Sequence, residues 1–307
     1  MLGLSWLTTA TTATGIGHFC RLSRFASNSA TKPSASGGYL RNPLLRYRQS
    51  PILFSSSLAP PKKLHADIVL GLEEKKLFEM LKKVAEVGGK NCSEATILRV
   101  AGGWIRDKLL GVEGKTDIDI TVSNMSGKEF VEQLNWWLVK EGKQALNYGV
   151  IKENPEKSKH LETVAISIGP FAVDFSNLRT ENYTEDSRVP RISRGTPEED
   201  ARRRDLTINS LYFNLNSGIV EDYTGSGIND LENGLIRTPL PSVVTLRDDP
   251  LRALRAVRFA CRFQFKIVDE FLDAFSDNEV MESLNVKVSR ERIKSELEVS
   301  IYLITMF

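Results

Sequence analysis

Two aspartates one residue apart, Asp117 and Asp119, stand inside the apolar run TDIDITVS, downstream of the glycine pair Gly102 and Gly103. In a strand, successive side chains alternate faces, so both carboxylates share one face while Ile118 and Ile120 point into a core. Carboxylates about 6.5–7 Å apart along a strand can share divalent cations that neutralise phosphates and activate a hydroxyl. The glycines precede a short helical run, WIRDKLLG. Lacking side chains, they let backbone approach a triphosphate, and the amides opening the helix face its charge. Each half is weak alone, since glycine pairs are mostly turns and DID can be an edge strand with its polar face in water. The order strand, Gly-Gly, helix, acidic strand is the specific signal.

Three further stretches carry chemistry-bearing residues. GTPEEDARRRDLTINSLYFN opens as a helix, with Thr196 as N-cap, Pro197 at the first position and Glu199 completing a capping box. Arg202, Arg203, Arg204, Asp205, Thr207 and Asn209 follow; the arginines alone would read as a solvated basic face. RDDPLRALRAVRFACRF reads as one helix with Asp249 and Arg252 on one face and Leu251, Leu254, Ala256, Val257 and Phe259 as its buried stripe. By themselves Asp249 and Arg252 would form an intrahelical salt bridge. Glu162 in HLETVAIS and Asp174 in FAVDF both lie in strand-like segments able to run beside the aspartate strand. His160 is lone, and is read as structural or exposed.

These residues need elements to position them. DIVLGLEEKKLFEMLKKVAEVG has helical apolar spacing with a glycine stop at Gly88 and Gly89, ATILRVAGG is a buried strand, and DYTGSGINDLENGLIRTP is a Gly-rich turn closing toward a strand. The 307 residues, 41% hydrophobic and 26% charged, suffice for one large or two modest domains. Cys20, Cys92 and Cys261 show no metal-ligand spacing, so neither a zinc site nor a disulfide framework is indicated.

The motif RVAGGWIRDKLLG…TDIDI resembles the first motif of class II nucleotidyltransferases of the DNA polymerase beta superfamily, specifically the CCA-adding enzymes of plants and other eukaryotes. The likeness continues through HLETVAISIGPFAVDFSNLRTENYTEDSRVP, GTPEEDARRRDLTINSLYFN, DYTGSGINDLENGLIRTP, DPLRALRAVRFACRFQF and SRERIKSELE. It implies an α+β fold: a polymerase-beta-like head over 64–240, a mixed, antiparallel-leaning sheet backed by helices, then an all-helical neck over 241–298. It implies Mg2+ as cofactor, CTP and ATP as substrates, and the tRNA 3′ end as acceptor.

Carried over residue by residue, the resemblance makes Asp117, Asp119 and Glu162 catalytic, with Asp117 and Asp119 on the metal. Asp174 remains the rival third carboxylate. Gly102, Gly103, Arg106, Arg203, Arg204, Asp205, Asn209, Asp249, Arg252, Arg255 and Arg258 contact the nucleotide. Arg106 and Asp107 support the triphosphate or anchor the loop, the two readings being open. The motif RRDxTxN, here Arg203 to Asn209, meets the sugar and selects ribose. Asp222, Gly225, Gly227 and Asp230 match a flexible third motif that rearranges between C and A addition, though both glycines serve equally as turn residues. Asp249 and Arg252 become the template for the base. Arginine donates to the ring acceptor of cytosine or adenine and aspartate accepts from the exocyclic amine. Uracil and guanine present a carbonyl and a ring N–H instead, leaving buried groups unpaired at about 1–3 kcal/mol each.

Alternatives are a bacterial-type poly(A) polymerase, which shares the head, and a catalytically silent nucleotide-binding form. A small-molecule nucleotidyltransferase would lack the Asp249–Arg252 template. Before Asp67 there are no acids and eight lysines and arginines, the composition of a transit peptide over 1–63 for mitochondrion or chloroplast; a downstream start would give a cytosolic or nuclear form. Segment 1–20 is too polar for a membrane span. Removing those eight charges from the net of +2 leaves −6, so phosphate binding must be local. The apolar run 299–307, VSIYLITMF, departs from the family, whose members continue into body and tail domains. The expectation is nucleotide binding with weak tRNA binding and a tendency to associate. Oligomeric state is not specified.

Overall fold

Alternation of apolar and polar residues gives this protein a sheet with one face in the core; the other is open at Asp117 and Asp119 and covered around Ala101 and Tyr212. In the computed structural model, residues 64, 67–88, 95–112, 114, 116–151, 163–184 and 187–305 are described. The segment 1–63, His160, Glu162 and Cys92 lie outside them, and so do the expectations attached to them.

Helix α1 (Leu72–Gly88) is followed by β1 (Leu98–Ala101), α2 (Gly103–Leu109), β2 (Asp117–Val122) and α3 (Gly127–Lys140). Then come β3 (Tyr148–Ile151), β4 (Thr163–Ile168), β5 (Phe171–Asn177) and the hairpin β6 (Arg179–Thr184) and β7 (Ser187–Arg194). After α4 (Pro197–Arg202), the strands β8 (Leu211–Asn214) and β9 (Ile219–Asp222) complete a seven-stranded sheet of order β3-β4-β5-β2-β1-β8-β9. Every pairing is antiparallel except β2 with β5. The sheet is therefore mixed and leans antiparallel, as the sequence predicts.

Ile118, Ile120, Val100, Phe213, Val173 and Phe175 are buried on one face in a core shared with Leu81, Ile105 and Phe130 of α1, α2 and α3. α3 starts at a capping box, Ser126 accepting from the Glu129 amide and Glu129 returning a bond to the Ser126 amide. The same device starts α4 at Thr196 and Glu199, with Pro197 at its first turn.

The chain continues through α5 (Gly227–Glu232), β10 (Leu235–Ile236), α6 (Ser242–Asp248), α7 (Leu251–Phe263), β11 (Lys266–Ile267), α8 (Asp269–Phe275), α9 (Asn278–Lys287) and α10 (Arg290–Thr305). Leu246, Ala256, Phe259, Phe271 and Val280 join the same core as the sheet. Among the described residues no helix is long and apolar enough to cross a membrane.

Four local readings are corrected. RDDPLRALRAVRFACRF is two helices, because Pro250 lacks an amide proton and drives Asp249 to φ −136, ψ 96, outside the helical region. Asp249 and Arg252 thus do not share a helical face. The buried stripe of α7 keeps Leu251, Ala256 and Phe259 but is completed by Ala253 and Ala260; Leu254 is half-buried and Val257 is 42% exposed. The neck is not all helical. Gln264 turns left-handed at φ 58, and β11 then pairs in parallel with β10. The Gly-rich third motif likewise passes through α5 before reaching β10.

Candidate functional site

Asp117 and Asp119 project from β2 on the open face and are exposed, while Ile118 and Ile120 between and beyond them are buried. Ala101 is the register partner of Asp119, so the Gly102 turn emerges beside that aspartate. Gly102 has φ 75, and a Cβ there would lie 3.1 Å from Arg204 Nη1. The glycine thus lets the first and second motifs touch. On the other side, Asp174 of β5 is the register partner of Asp119. Burial first, then the charges of Asp119 and Asp117, hold its carboxyl above the usual range. This places Asp174 in the acidic face. Among the described residues no three His, Cys, Asp or Glu side chains gather closely enough to hold an ion by themselves.

Arg203 and Arg204 are turned inward, not solvated. Both converge on Asp200, which is 0% exposed: Arg203 through a short Nη2 contact and Nε at 3.0 Å, Arg204 through Nη2 at 3.0 Å. Tyr212 donates its hydroxyl to the same carboxylate at 2.5 Å. Burial alone would raise the Asp200 carboxyl, but Arg204, Arg203 and Tyr212 hold it far below the usual range. Neither this anchor nor Tyr212 is among the residues that motif spacing marks. An acid in the capping-box helix, two residues before an arginine run, is the local signal for it.

Asp205 and Asn209 connect the second motif to its surroundings. Arg255 of α7 reaches Asp205 Oδ2 through Nη2 at 2.6 Å and Nε at 2.8 Å, while Asn209 donates to Asp205 Oδ1 at 3.1 Å. Asn209 Oδ1 accepts from Arg106, whose Nε also donates to Asp107 at 2.8 Å. Arg106 is 3% exposed and lies over the rings of Phe259 and Phe263 at 5.0 and 4.7 Å. Its guanidinium is thus engaged by Asp107, Asn209 and the two rings.

Arg252 donates Nη2 to the Arg203 carbonyl at 2.7 Å, which sets the start of α7 against the second motif. Asp249 accepts from the Leu251 amide at 3.1 Å and faces Arg292 of α10 at 3.5 Å. Arg258 is bound to Glu296 of α10 at 2.6 Å. In the third motif, Asp222 accepts from the amides of Thr224, Gly225 and Ile228, folding the turn. Gly225 has φ 70, whereas Gly227 is needed for packing: a Cβ there would lie 2.7 Å from the Thr207 carbonyl. Asp230, fully buried, accepts from Thr207 at 2.7 Å and from Arg237 at 3.1 Å.

This constellation has a match among known proteins. Residues 98–237 fit the family described as the poly A polymerase head domain. The chain is 49% identical over 212 residues to the mitochondrial CCA tRNA nucleotidyltransferase of Saccharomyces cerevisiae and 51% identical over 209 residues to that of Candida glabrata. It belongs to the nucleotidyltransferase family of CCA-adding enzymes and poly(A) polymerases.

These alignments cover 68% and 67% of the chain but 39% of each relative. Among solved structures, a CCA-adding enzyme in complex with CTP superposes with a TM-score of 0.57 at 26% identity, covering 77% of this chain and 50% of that one. For a nucleotidyltransferase of this family the fold corresponds as well as the motifs. An acidic strand beside a glycine turn, a second motif packed across it and a helix start beyond are all present.

Proposed function

We propose that this nucleotidyltransferase transfers CMP and AMP from CTP and ATP to the 3′ end of tRNA and releases pyrophosphate. The observation that carries this reading is the bond from Arg252 to the Arg203 carbonyl, which holds the base-reading arginine against the second motif. Asp117 and Asp119 offer hard oxygen donors on one exposed face, and Asp174 lies beside Asp119 in register. Asp117 and Asp119 would hold Mg2+, which when bound neutralises the triphosphate and lowers the pKa of the attacking hydroxyl. Two carboxylates with substrate oxygens completing the shell is the usual arrangement for that ion.

The remaining work belongs to the protein. Arg252 donates to N3 of cytosine or N1 of adenine, and Asp249 accepts from the exocyclic amine. Asp205 and Asn209, immobilised by Arg255 and Arg106, present a fixed polar edge to the ribose. Gly102, whose missing side chain leaves room for Arg204 beside the turn, and Gly103 at the start of α2 would present backbone amides to phosphate oxygens. The acid-free segment before Asp67 and the mitochondrial relatives support a mitochondrial destination.

The test is incubation of the chain with tRNA lacking its last three nucleotides, each nucleoside triphosphate separately, and Mg2+. Incorporation of C and then A, abolished by Asp117→Ala, is expected. A run of A alone would favour the poly(A) polymerase reading, nucleotide binding without extension a silent form. Equal use of UTP or GTP would sink the template argument.

A further inference from the structure

We propose that Arg292, on α10, is a positioning residue that sets base selectivity by orienting the Asp249 carboxylate. The proposal rests on the base-reading role assigned to Asp249 and Arg252. Those two residues are held by different elements. Arg252 is fixed by the head, through the Arg203 carbonyl at 2.7 Å. Asp249 stands in the extended break between α6 and α7, where no helical turn restricts its side chain. One of its oxygens, Oδ1, is occupied by the Leu251 amide at 3.1 Å. The other, Oδ2, faces the Arg292 guanidinium at 3.5 Å.

The register that brings Arg292 there is set one helical turn later. Glu296 lies on the same face of α10 and takes Arg258 at 2.6 Å and Arg255 at 3.7 Å, both from α7. α10 therefore cannot slide along α7 without breaking these pairs, and Arg292 is delivered to Asp249 by the same alignment. A planar guanidinium beside the carboxylate fixes the direction of its remaining lone pairs. A carboxylate so fixed accepts from an exocyclic amine and repels a carbonyl at that place. One free to rotate does neither well, so the penalty against uracil and guanine falls. The pair is partly exposed, with side chains 36% and 31% accessible, so its share of folding stability is small and selectivity is where its loss should register.

The experiment measures dissociation constants of CTP, UTP, ATP and GTP, with Mg2+, for the whole chain and for Arg292→Ala, Arg292→Gln, Asp249→Asn and the Asp249→Asn/Arg292→Ala double variant. Arg292→Ala should lower the preference for CTP over UTP and for ATP over GTP by roughly three- to fivefold, the size expected of an exposed pair. The thermal midpoint should be nearly unchanged. In the Asp249→Asn background the same substitution should have no further effect on preference. Arg292→Gln, which removes the charge while keeping the Cβ–Cγ–Cδ stem and a polar end, decides the matter if the alanine variant does not fold. Unchanged preference in a folded Arg292 variant, or an equal loss in the Asp249→Asn background, would overturn the proposal alone. A wild-type chain without preference would overturn the base-reading assignment, and this inference with it.

Discussion

Arg203 and Arg204 direct their charge onto Asp200, a carboxylate with no access to water, and the second motif is held rigid by that inward attraction. Asp200→Asn removes the charge while keeping the shape, leaving two arginines short of a partner. The expected loss is about 3–5 kcal/mol at neutral pH, read from urea unfolding. The pH dependence has a definite sign. The folded carboxyl is held below its unfolded value, so its stabilisation is fully present above the ordinary range near ~4 and is lost as pH falls toward the folded-state value. The difference between wild type and Asp200→Asn should therefore be constant from pH 7 to about 5 and shrink below about 4. Asp249 and Arg252 predict a different outcome. Arg252→Ala should collapse discrimination among the four nucleoside triphosphates while leaving Mg2+ affinity intact, because its guanidinium contacts the Arg203 carbonyl and not the aspartate strand. Wild-type preference in that variant would make the residue a simple link between segments.

The third motif is built as a compact element, not an open loop. Asp222 gathers the amides of Thr224, Gly225 and Ile228, and α5 then packs its first residue against the second motif. Gly227→Ala would put a methyl 2.7 Å from the Thr207 carbonyl and 2.9 Å from Leu211, so backbone must move. A destabilisation of about 1–3 kcal/mol is expected from thermal unfolding, the usual cost of overpacking. Gly225→Ala should cost less, about 1 kcal/mol, since only its positive φ opposes a side chain and the space around it is open. The capping boxes of α3 and α4 show local sequence acting locally. A hydroxyl and a carboxylate three residues apart satisfy the first-turn amides whatever the rest of the chain does.

Across the whole molecule, one polar path joins the elements. It runs from Glu296 on α10 to Arg255 on α7, through Asp205 and Asn209 in the second motif, to Arg106 and Asp107 on α2, and returns to Arg262 of α7 at 3.4 Å. Asp205→Asn weakens its centre. Amide hydrogen exchange should then rise along α7 and α2 and remain unchanged in α3, whose core contacts are apolar. Equal protection in both proteins would mean that the apolar core alone joins α7 to the sheet.

How much of this could be read beforehand depends on the range of the interaction concerned. Alternation in TDIDITVS placed Asp117 and Asp119 together because strand geometry is local, and the same locality made the caps at Thr196 and the glycine turn at Gly102 legible. Pro250 was also visible, yet the continuous apolar spacing around it concealed the break that separates Asp249 from α7. Asp200 with Tyr212, Arg106 with Asn209, and Asp249 with Arg292 join residues brought together by strand pairing and helix packing, so no periodicity announces them. Arg106 reads equally as a phosphate ligand or an anchor in sequence, and its burial over Phe259 and Phe263 comes only from packing. The residue types of the site follow from spacing along the chain. Which arginine faces inward follows from the desolvation and ion pairing that folding alone creates.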